Sequence, residues 1–336
     1  MKYKKSMVLI LLISSLGLAG CGDKSHSDTN NQSSESTSEK KEAKKTYDNY
    51  GDKIAIDYVP EHVITMGPND TELFCALGLD QKVIGCSLNN HSRGPLKKYE
   101  MQYKNIKELT HGAPTKEAVL GTTTDFIYGI DWAFGEEGVD KKDLEEAKIP
   151  VMVNKAKTIP EEYNEIKQLG EIFHVEKRAN QLIKNQKDRI GKVEQEVKGT
   201  KPVSVLVYDS GNNGIFTATG SNFETQLIEK AGGKNIFADI KDKAWTTVSG
   251  EAASKRNPDV IIVHDYDQPS IKEKIKEIKK DPALKNCRAV KENRFVVVPL
   301  EAVLPGARMA YTVEKFGHAF HPKEVKMTKS EEEMEA

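Results

Sequence analysis

Ligands of α/β proteins meet the loops at strand ends, so the residues just after short apolar runs are where this chain could do chemistry. After Asp125–Tyr128 come Asp131, Trp132 and Phe134; after Val203–Val207 come Tyr208, Asp209 and, further on, Phe216. Trp245 precedes Glu251, His264 and Tyr266 follow the run from Val260, and Arg308 and Tyr311 open the last helical stretch. With Tyr128, and with Arg93 in the loop Asn90–Pro95, these are the candidate ligand contacts. Aromatic walls with a few polar groups suit a large, flat or rounded ligand with polar edges. The guanidinium groups of Arg93 and Arg308 suit its acceptor oxygens. No GxSxG, HExxH or P-loop motif is present, and Asp209-Ser210-Gly211 has no partner histidine at a recognisable spacing, so binding rather than catalysis is expected.

A bare metal ion needs several His, Asp or Glu converging on one point. His62, His91, His111, His174, His264, His318 and His321 are scattered over unrelated elements. The HxxH of His318 and His321, followed by Pro322 and a charged tail, reads as a solvated helix end. Cys75, Cys86 and Cys287 are odd in number with no CxxC spacing, and read as buried free thiols. Neither a metal site nor a resident cofactor is expected.

The elements that must position these residues are legible in the periodicity. The chain has 336 residues, enough for two cores, and a formal charge of -1, which gives no field to gather nucleic acid. Lys2, Lys4 and Lys5 precede an apolar run from Met7 to Ala19, too short to span a bilayer and typical of a secretory leader. Residues 21–49 are polar and read as a disordered tether. From residue 50 to 158, β-branched runs (Val63–Met66, Val83–Cys86, Asp125–Tyr128, Val151–Val153) alternate with helical stretches such as Thr71–Leu79, and the grammar restarts over 199–322 (Val203–Tyr208, Phe223–Ala231, Val260–Val263, Phe295–Val298). Residues 159–198 carry helical spacing throughout, starting at Thr158 and Pro160, with a break foreseen near His174; 323–336 is a charged tail. The expected fold is therefore α/β, with two Rossmann-like lobes of mainly parallel strands joined by one long helix, and the ligand between them.

Leu18-Ala19-Gly20-Cys21 resembles the lipobox of bacterial lipoproteins, which implies a lipid on Cys21 and an anchored, extracytoplasmic protein. Ile64–Leu73 followed by Ala76-Leu77-Gly78-Leu79, paired with Trp245–Glu251 followed by Asn257–Val263, resembles the helix-linked (class III) substrate-binding lipoproteins of ABC transporters that carry iron-siderophores, haem and cobalamin. The resemblance runs from about Ile54 to Pro322. It implies a monomeric, non-catalytic carrier of an iron chelate, haem or cobalamin being alternatives with His264, Tyr128, Tyr208 or Tyr266 as possible axial groups. It also implies ABC permease and ATPase partners, met through one surface glutamate per lobe, here Glu72 and Glu251.

Overall fold

A computed structural model describes residues 44–326, apart from 136, 137 and 212. The leader, Cys21, the tether to residue 43 and the tail from 327 lie outside the described residues. Two strands, β1 (Lys45–Asn49) and β2 (Asp52–Ile56), form an antiparallel hairpin. This corrects the tether boundary: alternation in this segment buries Tyr47 and Asn49 on one side of β1, and Ile54 and Ile56 on one side of β2.

The first lobe is built on β3 (Val63–Met66), β4 (Val83–Ser87), β5 (Glu108–Thr110), β6 (Phe126–Ile130) and β7 (Val151–Asn154), all parallel in the order β5-β4-β3-β6-β7. Helices α1 (Pro68–Ala76), α2 (Glu100–Lys104), α3 (Lys116–Leu120) and α4 (Lys141–Glu146) connect them. Helix α1 starts three residues before the expected Thr71 because Pro68 fits the first turn, where its missing N–H has no intrahelical partner anyway.

Between the lobes run α5 (Ile159–Ile172) and α6 (Glu176–Glu196). A capping box opens α5: Thr158 Oγ1 accepts from Glu161 N, and Glu161 Oε2 accepts from Thr158 N. His174 takes a left-handed φ of 53° and ends the helix there, so the connection is two helices rather than one rod. They pack closely at Gly170, where a Cβ would stand 2.7 Å from that of Ala179. Helix α5 lies on the first lobe, while α6, about 31 Å long at 1.5 Å per residue, reaches from the carbonyls of Leu77 and Gly78, capped by Arg178, to the second lobe.

That lobe carries β8 (Val203–Tyr208), β9 (Ile215–Ala218), β10 (Gly233–Asn235), β11 (Trp245–Val248), β12 (Val260–Asp265) and β13 (Phe295–Pro299). Four of these form a parallel sheet, β10-β8-β12-β13, and β9 pairs antiparallel with β11. The helices are α7 (Phe223–Lys230), α8 (Gly250–Arg256), α9 (Ile271–Lys280), α10 (Arg288–Lys291), α11 (Leu300–Val303) and α12 (Met309–Phe320). Both faces of the sheet are covered, which is why its strands are continuous apolar runs. Val205, Val207, Val260 and Ile262 join the main core, which continues through α6 and α12 into the first lobe. Leu206, Tyr208, Ile261 and Val263 form a second core on the other side with Ile278 and Leu284. The end of α12 is not solvated: His321 is buried against the Gly232 carbonyl, and Val325 of the presumed tail is buried as well.

Inside the first lobe Glu162, Glu165 and Asp70 are buried together. Burial pushes the Glu165 carboxyl from 4.5 up to about 7, opposed by hydrogen bonds from Tyr50 and Tyr128, and pushes Asp70 and Glu162 well above the usual range. A carboxyl whose folded pKa is raised gives stability that is present below its unfolded pKa and is lost as pH rises through the folded value. The protein should therefore lose on the order of 1–3 kcal/mol of stability between about pH 4.5 and 7 from Glu165 alone. Denaturant titrations across that range should show a flatter profile for Glu165→Gln than for the native chain.

An aromatic cleft between the lobes as candidate functional site

The lobes meet through a buried polar seam. Arg308, in the segment after β13, donates from Nε to Glu72 Oε1 at 2.8 Å and from Nη2 to Glu72 Oε2 at 2.6 Å, so α1 of one lobe grips the start of α12 in the other. The same guanidinium donates to Gly94 O, and Glu72 Oε2 also accepts from Leu96 N. Both side chains are almost wholly buried, at 6% and 1% exposed. Burial works against the Arg308 charge, but Glu72 and Glu301 outweigh it and raise its pKa above the ordinary arginine value. Glu301 Oε1 receives Ser92 Oγ and Arg93 N across the seam. On one side of this pair Asn69 and Asn154 both donate to Pro305 O. On the other, Arg93 donates to Asp265 Oδ1 and to Tyr266 O.

Beside the seam lies a cavity of about 270 Å³ lined by His91 and Trp132 of the first lobe and by Asp209, Phe216, Trp245, Leu300 and Leu304 of the second. An adjoining recess of about 90 Å³ shares Trp132, Trp245 and Leu304 and adds Asp131, Asn154, Lys155, Lys157 and Asn222 among its walls. Trp132 and Phe216 keep 39% and 37% of their surface exposed, unlike the other large aromatics nearby. The β9–β11 ladder explains the far wall. Ala218 opposes Trp245 and Phe216 opposes Thr247, so Phe216 and Trp245 are diagonal neighbours on one face and stack at 5.3 Å. On the near wall the His91 ring lies 4.8 Å from Trp132 and 5.9 Å from Tyr266.

Behind Trp245 stands His264, fully buried, its ring edge-on at 5.9 Å. Its Nδ1 is 3.0 Å from Asp209 Oδ1 and its Nε2 3.1 Å from Glu224 Oε2. Burial would lower its pKa, but Glu224 and Asp209 outweigh it and push it up to about 9, leaving an imidazolium between two carboxylates at neutral pH. Tyr266 donates to Asp209 Oδ2 at 2.9 Å, and the buried Lys274 donates to His264 O while its Nζ sits 3.6 Å over the Tyr266 ring. Burial draws Lys274 down to about 8. Among the described residues no group of three or more His, Cys, Asp or Glu is placed to hold a metal ion.

Of the sequence candidates, the structure brings Trp132, Phe216 and Trp245 to the cavity. Tyr266 lies at its edge through His91, and Arg93 is at the seam, engaged by Asp265. The rest are elsewhere. Tyr128 is buried in the first core with its hydroxyl on Glu165. Tyr208 faces the second core and Glu277. His264 is the support behind the wall, and Arg308 is consumed by Glu72. Tyr311 lies under Arg189, 3.9 Å from its ring, beside Lys98. Each alternates away from the cleft or finds a charged partner that no single-strand pattern reveals. Cys75, Cys86 and Cys287 are buried free thiols, and burial pushes the first two up to about 12 and 11.

Glu72 is a second correction: a carboxylate sealed inside the seam is not on an outer face. Glu251, by contrast, is exposed in the first turn of α8, where Ser249 Oγ caps Ala252 N. Its counterpart in the first lobe is Glu117, exposed in the first turn of α3 under the matching cap of Thr115 on Ala118 N. Asp125 and Asp259, each eight residues beyond its glutamate, then precede β6 and β12 and accept from the neighbouring backbone, at His62 N just before β3 and at Ser204 N within β8. That twice-repeated spacing was the signal available in the sequence.

The sequence profile described as periplasmic binding protein matches residues 63–302. An uncharacterized ABC transporter substrate-binding lipoprotein of Bacillus subtilis (strain 168) is 26% identical over 332 residues, covering 96% of this chain and 98% of that protein. A vitamin B12-binding protein of Pectobacterium carotovorum is 24% identical over 207 residues, 61% of this chain and 71% of its own length. A solved periplasmic binding protein from Veillonella parvula superposes with a TM-score of 0.75 at 26% identity, covering 84% of this chain and 99% of that one.

The seam makes a stability prediction. Arg308→Met removes the charge but leaves Glu72 buried, and should cost about 3–5 kcal/mol of unfolding free energy, the scale for stranding half of a buried ion pair. Urea unfolding measures it; a loss below about 1 kcal/mol would mean the pair contributes little.

Proposed function

The chain belongs to the periplasmic binding protein family, and on that premise we propose that it is the extracytoplasmic substrate-binding component of an ABC importer, capturing an iron-siderophore complex between its lobes and delivering it to a membrane permease and its ATPase. The observation that carries this reading is the cavity itself: Trp132 from one lobe and the stacked Phe216 and Trp245 from the other leave large aromatic faces uncovered around an apolar space. A chelated ferric ion already has its coordination sphere filled, so the protein needs only to pack and orient the organic shell. Cobalamin is the second reading, favoured by the vitamin B12-binding relative. Haem is weaker, because the foreseen axial groups are engaged: Tyr128 by Glu165, Tyr208 by Glu277, Tyr266 by Asp209, and His264 by two carboxylates.

Titration with ferric siderophores, cyanocobalamin and haem, followed by tryptophan fluorescence and melting temperature, tests the reading. A ferric siderophore should quench Trp132 and Trp245 and raise the melting temperature, and Trp245→Ala should weaken binding by about 1–3 kcal/mol. Binding of cyanocobalamin with no response to any ferric chelate would transfer the assignment to the corrinoid.

Delivery needs an anchor and a docking face. The anchor proposed is diacylated Cys21, which mass spectrometry of the mature membrane-bound protein would detect as the N-terminal residue. The docking contacts proposed are Glu117 and Glu251, one per lobe. Exposed ion pairs are worth only about 0–1 kcal/mol each, so both must engage together. Glu117→Ala with Glu251→Ala should leave ligand affinity within about 0.5 kcal/mol and collapse cellular uptake of labelled ligand. Normal uptake by the double variant would reject the docking role.

A further inference from the structure

The charges around the cavity are unevenly disposed. Both arginines expected at a ligand are paired at the seam, Arg308 buried on Glu72 and Arg93, 41% exposed, on Asp265. Lys274 is buried on His264 O and the Tyr266 ring, and Lys155 and Lys157 line the smaller recess together with Asp131. Of the residues lining the main cavity, Asp209 is the one carboxylate, and no lysine or arginine is among them. His91 is the remaining titratable wall, and burial holds its ring below the ordinary histidine value despite the pull of Asp209. Burial likewise works against ionising Asp209, but His264 and Tyr266 outweigh it and hold the carboxyl below its usual range. The other walls are the faces of Trp132, Phe216 and Trp245, whose π-clouds present negative potential.

We infer that the cavity selects a ligand whose packed surface is neutral or positively charged, and that Asp209, fixed by His264 and Tyr266, is the specificity-determining residue. This rests on the cavity being the ligand site. Three catecholate dianions around a ferric ion leave a trianion, whereas three hydroxamate monoanions leave a neutral complex. The trianion would meet the Asp209 carboxylate and three π-faces, while the nearest positive charges, His264 behind Asp209 and Lys155 and Lys157 in the adjoining recess, lie outside the cavity lining, and like-charge contact of that kind is unfavourable. A neutral trihydroxamate meets no such repulsion. If it bears an amide N–H or an ammonium, it gains the free lone pairs of Asp209, whose oxygens each accept only one bond from the protein.

The test is a pair of titrations of the full chain at one pH and ionic strength, with a ferric trihydroxamate and a ferric tris-catecholate siderophore. The neutral complex should bind at least about a hundredfold more tightly. Asp209→Asn keeps the shape and an acceptor for His264, and should reduce that ratio at least about tenfold by improving catecholate binding. Tyr266→Phe removes one hydrogen bond but keeps the carboxylate, and should preserve the preference for the neutral complex. Tighter binding of the trianion by the native chain overturns the inference without any variant, and leaves the iron reading standing. An Asp209→Asn protein that loses both affinities equally overturns it too, since a merely structural aspartate would do that. If neither ferric complex binds, the iron reading falls, and cyanocobalamin against haem, with its two propionates, supplies the same contrast: preference for the corrinoid supports charge selection, preference for haem overturns it.

Discussion

The bidentate pair between Arg308 and Glu72 fixes where one lobe stands relative to the other, and the cavity is a consequence of that placement. A guanidinium and a carboxylate taken out of water repay their desolvation only if nearly every donor and acceptor is matched. Here Gly94 O, Leu96 N and Glu301 complete the match, and they come from both lobes. Closing the lobes along this line therefore demands one relative placement, because a shifted lobe would leave these charges buried and unpaired, a demand that an apolar contact of the same area would not make. Helix α6 adds a second tie, since Arg178 caps α1 while Gln186 receives Ala310 N and donates to Ala307 O.

The seam also decides what remains for a ligand. By drawing in Arg308, Glu72, Glu301 and Arg93, it keeps their charges out of the main cavity and leaves aromatic faces with Asp209 beside them, with Asp131, Lys155 and Lys157 in the adjoining recess. Those faces are held from behind by polar groups. His264 lies between Asp209 and Glu224 and abuts Trp245, which in turn stacks on Phe216. A charged post under an apolar wall is rigid because each of its hydrogen bonds is costly to leave unmade.

The two lobes repeat one plan, and the repeat reaches individual residues. Asp125 and Asp259 tie the start of an inner strand to its neighbour, and Glu117 and Glu251 sit in the first turns of capped helices before them. A surface glutamate and a buried one look alike in a sequence. Position in the repeat separates them, because Glu117 has a counterpart in Glu251, whereas the residue standing where Glu72 does, two past the buried Asp70 or Glu224, is Gln226 in the second lobe.

The sequence by itself determined the α/β alternation, the strands at Val63, Val203 and Val260, the helix start at Thr158 and the aromatic character of the loops after the strands. These follow from local rules: side chains alternate on strands, recur every three to four residues on helices, and caps and glycines punctuate both. Trp132, Phe216 and Trp245 were legible as ligand candidates for the same reason. Only the tertiary structure decided which polar residues were free to act. Tyr128 lies within a strand whose side chains all enter the main core, Tyr208 ends a strand whose alternate faces enter different cores, and Arg308 and Glu72, 236 residues apart, neutralise each other. Whether a charge serves a ligand, a partner or the fold depends on what chain folding brings against it, and no local pattern encodes a partner that distant.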